Sequence, residues 1–234
     1  MRSASSRFCL VSVLSVAVFF VLFADLLVLS ASADPLGAAF APVSPSTVSR
    51  AYAHSSFRVS SRLVDGSGAP IAGASVQVLQ RVVGGARMEV AGTVVTRADG
   101  GFVAVLPAGP SRLVELAYLE GGVVVAQALV FEHVSPGLHL RVTPRRTSPS
   151  GRVTLEGCVL GVVPSRGVVV EVLVYYLGGW QPIRTPRTSG DGRFRVRYRF
   201  HRAFGEFPFR VRVRDGQVGF PYGGGWSRWV GVLV

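Results

Sequence analysis

Asp191-Gly192-Arg193-Phe194-Arg195-Val196-Arg197-Tyr198-Arg199-Phe200 is the stretch on which the reading of this chain turns. It opens on Asp-Gly, and the glycine of such a pair accepts the positive φ of a tight turn; ahead of an alternating run the pair is a hairpin signal. From Phe194 onward apolar residues and arginines alternate without a fault. That is the period of a strand with one face on a core and the other in water. The motif D-G-x-F also occurs as Asp99-Gly100-Gly101-Phe102, 92 residues earlier. A repeat of about 90 residues fits two copies of one small β domain.

Composition agrees. Valine is abundant, there are 28 Gly and 14 Pro among 234 residues, and no long helix-period run follows residue 34. This favours an all-β fold with many turns. All 25 basic residues are arginine; Lys and Asn are absent and Ile occurs only at positions 71 and 183. Those three residues share A/T-rich codons, so a GC-rich genome explains part of the arginine excess. Without Asn there is no N-x-S/T acceptor. From Asp34 to Leu140 there are 7 Arg against 7 acids, and from Arg141 to Val234 there are 16 Arg against 5 acids. The positive excess of the chain beyond residue 33 thus lies in its second half, which points to an anionic partner or surface for that half.

Residues 1–33 read as a signal peptide. Arg2 and Arg7 precede an apolar stretch from Phe8 to Leu29, and Ala31-Ser32-Ala33 supplies an A-x-A cleavage site. The rival reading is an uncleaved apolar helix acting as a membrane anchor, with Asp25 near its far end disfavouring a stable span. Secretion to the extracellular cell envelope is therefore expected, or membrane anchoring if the segment stays. Residues 34–55, rich in Ala, Pro and Ser without a period, read as an extended flexible linker. Cys9 lies in the export segment. Cys158 is then a lone thiol in a valine-rich strand, expected to be a small buried hydrophobe.

Residues 56–137 show short alternating runs at Phe57–Val64, Ala74–Gln80, Met88–Thr96, Phe102–Leu106, Arg112–Leu119 and Val123–Phe131, separated by Gly, Pro and Asp clusters. That spacing predicts a Greek-key sandwich. The segments "RLVDGSGAPIAGASVQVLQ" and "ADGGFVAVLPAGPSR" resemble the carboxypeptidase regulatory-like domain across about residues 57–120. The resemblance implies a transthyretin-like β-sandwich with an accessory, non-catalytic role, in a fold group some of whose members bind carbohydrate.

Residues 138–234 repeat the pattern at Leu138–Thr143, Val153–Val159, Val168–Tyr176, Trp180–Ile183, Phe194–Phe200 and Phe207–Arg214, with Trp226–Val234 as a last strand. The Gly178-Gly179-Trp180 turn, Asp191-Gly192-Arg193-Phe194 and the segment Phe220-Pro221-Tyr222-Gly223-Gly224-Gly225-Trp226-Ser227 resemble tandem Ig-like modules of exported proteins in high-GC bacteria. The expected fold class is all-β: two tandem Ig-like (transthyretin-like) Greek-key β-sandwiches after an N-terminal apolar helix.

No catalytic constellation stands out, and no cofactor or metal site is expected. The four His have no H-x-x-x-H spacing, no Cys pair or acidic calcium loop exists, and a P-loop lysine is missing. Gly225-Trp226-Ser227-Arg228-Trp229 lacks the last glycine and the helix of a nucleophile elbow. Asp99 and Asp191 are read as turn formers. Two candidate binding sets remain. Arg193, Arg195, Arg197 and Arg199 line one face of a strand, and Arg210, Arg212 and Arg214 one face of the next. In a hairpin the seven guanidiniums would share one polyanion-binding surface; with a sandwich crossover they would lie on opposite outer faces, the arrangement favoured by where Phe207 starts its strand. The second set is an aromatic cluster of Tyr222, Trp226 and Trp229, with Phe220 beside it, which is either a sugar-stacking platform or a core plug. Nucleic acid is not an expected partner, because the aromatics alternate opposite the arginines rather than interleaving with them.

The sequence thus reads as an exported, non-catalytic structural or spacer protein of the cell envelope. The alternative is a binding module for carbohydrate or an anionic envelope polymer through the basic second half.

Overall fold

The computed structural model describes residues 37–42, 46–52 and 55–234. Residues 1–33, read above as a signal peptide or an uncleaved apolar helix, lie outside them. The described residues are all-β, as two sandwiches in tandem. The first contains β1 (Ala39–Ala41), β2 (Thr47–Ala51), β3 (Phe57–Val64), β4 (Ser75–Val82), β5 (Glu89–Val95), β6 (Gly101–Leu106), β7 (Arg112–Glu120) and β8 (Val123–Ser135). The second contains β9 (Gly137–Thr143), β10 (Arg152–Leu160), β11 (Val170–Tyr176), β12 (Gly179–Arg184), β13 (Arg193–Arg199), β14 (Glu206–Val213), β15 (Gly225–Trp226) and β16 (Val230–Leu233).

The two sandwiches share one topology. In the first, a sheet ordered β1-β3-β6 faces one ordered β2-β8-β7-β4-β5. In the second, β9-β10-β13 faces β12-β11-β14, and both β15 and β16 pair with β14. This is the two-sheet arrangement of immunoglobulin-like sandwiches. Alternation builds the cores. Phe57, Val59 and Leu63 of β3 meet Val76, Val78, Val114 and Leu116 across the first interior. Val153 and Leu155 of β10 and Phe194 and Val196 of β13 meet Val170, Val172, Phe209 and Val211 across the second. Each fully buried valine or phenylalanine contributes roughly 1.5–3 kcal/mol relative to an exposed one.

The opening strand of each sandwich changes sheets, and here the structure corrects the linker reading for the described residues 37–42 and 46–52. β1 pairs antiparallel with β3, and after Pro42 the chain crosses so that β2 pairs parallel with β8. Phe40 and Val48 pack on the first core, so these residues are part of the sandwich. With one core side chain apiece, such strands are too short to show a period. The second sandwich repeats the device. β9 pairs with β10, the Thr143–Pro144 bond is cis, and Arg146 then bridges Leu233 in parallel. Proline suits the crossing point because it has no N–H to leave unpaired.

The D-G-x-F turns are crossovers between sheets and not hairpins, since β5 and β6, like β12 and β13, belong to different sheets. The Gly100 carbonyl accepts from the Leu63 N–H at 3.0 Å, and the Gly192 carbonyl from the Val159 N–H at 2.9 Å. Each turn is thereby tied to the strand beside the one it starts. The Asp99 carboxylate accepts from the Gly101 N–H at 2.9 Å, and that of Asp191 from the Arg193 N–H at 3.2 Å. Both are turn formers.

The last strand is broken. β15 and β16 are separated by Ser227–Trp229, where the Ser227 hydroxyl accepts from the Val211 N–H at 3.0 Å. A side chain thus replaces one bond of the ladder, so Trp226–Val234 is two strands and not one.

The sandwiches meet at a joint built from both. β8 runs through Val134, which belongs to the second core, before buried Pro136 leads into β9. The Phe220–Gly224 segment reaches back to the first sandwich. The Ser111 N–H donates to the Pro221 carbonyl and the Gly223 N–H to the Val134 carbonyl, both at 2.9 Å. The Val134 N–H donates to the Ser111 hydroxyl at 2.8 Å. Tyr222 is 4% exposed, with its ring against Tyr52 and Phe220. Burial pushes its phenol up from the ordinary tyrosine value, and Tyr52 adds to the effect.

Candidate functional site

Two outer faces of the second sandwich carry the arginines, and the crossover puts them on opposite sides. β13 lies in the β9-β10-β13 sheet and β14 in the other. Arg193, Arg195, Arg197 and Arg199 therefore share no surface with Arg210, Arg212 and Arg214.

On the β14 side the charge is absorbed internally. Glu171 of β11 stands opposite Arg212 and accepts hydrogen bonds from the guanidiniums of both Arg212 and Arg214. Arg210 lies between two indoles, its guanidinium carbon 3.9 Å from the Trp180 ring centre and 3.8 Å from that of Trp226. Trp180 comes from β12 and Trp226 from β15, which lie on either side of β14 in the sheet order. Arg212 approaches Trp226 at 4.7 Å, and Tyr175 meets Trp180 edge-on at 5.5 Å. Burial lowers the Arg210 pKa from its ordinary value, and neighbouring Arg212 lowers it further. The Arg210 Nε is buried without a hydrogen-bond partner, so its attraction to the rings must stand in for one.

This ladder also disposes of the aromatic cluster as one platform. Tyr222, with Phe220, is core at the joint. Trp226 is 47% exposed but has Arg210 and Arg212 against its ring. Trp229 is 59% exposed, within the break in the last strand. The three residues present no common stacking surface.

On the β13 side the registers define rungs across three strands. His139, Cys158 and Arg193 form one rung; Arg141, Glu156 and Arg195 the next; Thr143, Thr154 and Arg197 the third; Arg152 and Arg199 the fourth. Six arginines and a single acid, Glu156, occupy this face. Glu156 pairs with Arg195 at 3.0 Å, and Asp191 at the strand's entrance pairs with Arg193 at 3.4 Å. All six arginines are exposed. Arg152 and Arg199 stand directly opposite each other, which costs rather than gains stability.

The first two rungs border a cleft of about 870 Å³, with Ser189 and Phe194 in its lining. Cys158 sits in the cleft, half-buried between His139 and Arg193, and is not the buried hydrophobe expected. It lies on the outward phase of β10, alternating with the core positions Val153, Leu155 and Val159. Sequence reasoning found four arginines of this face and missed Arg141 and Arg152. Their outward phase is visible in β9 and β10, but only the pairing of β10 with β13 adds them to the row. Trp180 and Glu171 were missed as partners of β14 for the same reason. Among the described residues no three His, Cys, Asp or Glu side chains converge as metal ligands.

No family model matches the chain, and no curated protein matches it. Solved structures do. The Yersinia pseudotuberculosis adhesin InvE is 15% identical, with a TM-score of 0.36 over 87% of this chain and 60% of that one. The D0-D1 domain of intimin is 14% identical, with a TM-score of 0.32 over 84% of this chain and 97% of that one. A tetra-tandem repeat from the extending region of a large adhesion protein is 13% identical, with a TM-score of 0.38 over 84% of this chain and 49% of that one. The chain thus spans 60% of the InvE structure and about half of the tandem-repeat structure it resembles.

Proposed function

We propose that the chain is an exported, non-catalytic structural module of the bacterial cell envelope, a spacer made of two sandwiches with a stiff connection. The joint carries this reading. A linker between independent domains is exposed and polar, with few contacts crossing it. Here the connection is a strand that donates Val134 to the second core, and the Phe220–Gly224 segment hydrogen-bonds back to Ser111 and Val134. The arrangement resists bending, which is what a spacer requires. The A-x-A segment at Ala31–Ala33 supports export.

Two measurements test the proposal. Protease added to intact cells of a bacterial host should remove the chain while cytoplasmic markers survive; full protection until lysis would refute export. Small-angle scattering should fit one fixed arrangement of the sandwiches. A profile that demands a broad ensemble of orientations would refute the stiff spacer.

A further inference from the structure

We propose that the outer face of the β9-β10-β13 sheet binds an acidic polysaccharide. The chain would run along β13, with one sugar unit in the cleft over Cys158. This does not depend on the spacer role.

The contrast between the two outer faces is the starting point. Both are arginine-lined strands of one sandwich, with the same codon bias behind them. On β14, Glu171 takes up Arg212 and Arg214, and two indoles hold Arg210. On β13, Asp191 at the strand's entrance pairs with Arg193 and Glu156 with Arg195, but the rest of the face lacks counter-charge. Arg141, Arg152, Arg197 and Arg199 have no ion pair among the described residues, and Glu156 alone on the face balances Arg195. Alternate residues on a strand are about 6.6–6.8 Å apart and neighbouring strands about 4.8 Å. The face is therefore a flat grid of guanidiniums whose mutual repulsion a string of oxyanions would relieve, each guanidinium offering a bidentate fork to a carboxylate.

The cleft argues for a sugar rather than a bare inorganic polyanion. Its lining adds the Ser189 hydroxyl, the His139 imidazole and the Glu156 carboxylate to Arg193 and Arg195. A carboxylate has nothing to offer a chain of phosphates but can accept from sugar hydroxyls. The half-buried floor at Gly157 and Cys158 gives the ring an apolar surface to rest on.

The test is binding of the full chain to polygalacturonate, with dextran as the uncharged polysaccharide and long-chain polyphosphate as the sugar-free polyanion. Polygalacturonate should be retained at low ionic strength and released as salt rises. Arg197→Glu/Arg199→Glu should weaken that binding by about tenfold or more, as reversing charges in a contact surface does. Arg81→Glu/Arg97→Glu makes the same net charge change in the first sandwich and should alter it by less than about twofold, since those charges lie outside the surface. Glu156→Gln should reduce the preference for polygalacturonate over polyphosphate. Should the reversal variant fail to fold by circular dichroism, Arg197→Gln/Arg199→Gln replaces it, with the same direction expected. The proposal falls if polygalacturonate is not retained at low salt. It falls equally if polyphosphate binds as well or better, or if both double variants weaken binding alike, which would show bulk charge and not a face.

Discussion

The guanidinium carbon of Arg210 stands 3.9 Å from the centre of the Trp180 ring and 3.8 Å from that of the Trp226 ring. β12, β14 and β15 are thereby stapled across the sheet by side chains, where the backbone ladder of the two-residue β15 supplies little. Arg210→Lys should keep the charge yet lose the flat stacking surface and cost about 1 kcal/mol, and Trp180→Ala about 1–2 kcal/mol. Urea unfolding of the single and double variants checks it. A coupling energy of zero in the double-mutant cycle would show that the ring and the cation do not support each other.

Gly100 and Gly192 are held at φ +74° and +81°, and a Cβ on either would lie 2.5 Å from the Leu63 carbonyl oxygen or 2.3 Å from that of Val159. Alanine at either position is therefore expected to cost about 2 kcal/mol or more, from the left-handed backbone together with a clash that must break the turn's tie to the neighbouring strand. Gly68 and Gly216 also have positive φ but open space around them. Alanine there should cost only about 1 kcal/mol. Thermal melts of the four variants separate the two terms, and equal losses at all four would mean that the close approach contributes nothing.

The same two glycines show what could be read from the chain alone. D-G-x-F marked equivalent strands of two like sandwiches because turn chemistry and alternation are both local. β13 and β14 were legible for the same reason, every second residue from Phe194 and Phe207 being apolar. What escaped depends on pairing. Ala39–Ala41 and Thr47–Ala51 each carry one core side chain, so they look like linker until β3 and β8 are set beside them. Tyr222 and Trp226 lie four residues apart in one aromatic-rich segment, yet one enters the joint and the other covers an arginine. Composition cannot divide them. Arg152 joins the basic face only because it falls opposite Arg199.

Glu132 is 1% exposed in the first sandwich and takes two arginines, Arg112 at 2.7 Å and Arg50 at 2.8 Å. Arg112 is 3% exposed and also donates to Gln80 and to the Pro107 carbonyl. Glu132→Gln leaves that buried cation without its counter-charge and should destabilise by about 3–5 kcal/mol. Arg50 is more open to water, its side chain 22% exposed. Arg50→Met should therefore cost only about 1 kcal/mol, close to the value of an exposed pair. Because β2 holds Arg50 and β8 holds Glu132, hydrogen exchange in β2 should rise in the Arg50 variant while β7 stays protected. Uniform loss of protection across the sandwich would show that the contact does not act locally.

Asp65 organises the turn after β3. One carboxylate oxygen accepts from the Ser67 N–H at 2.9 Å, the Ser67 hydroxyl at 2.7 Å and the Ala69 N–H at 2.9 Å. These bonds favour the charged form and hold the Asp65 pKa below its ordinary value, the Ser67 hydroxyl contributing most. Asp191 is lowered in the same way, by the Ser189 hydroxyl first and then the Arg193 N–H. The unfolded chain therefore takes up these protons at higher pH than the folded one. The stabilisation from each turn is complete above the unfolded aspartate value of about 3.9 and is lost as pH falls through the lower folded value. The melting-temperature gap between the native chain and Asp65→Ala should stay constant from neutral pH down to about pH 5 and narrow as the pH falls below the unfolded aspartate value of about 3.9. A gap that persists undiminished at the lowest pH would mean that the carboxylate's charge has no part in holding the turn.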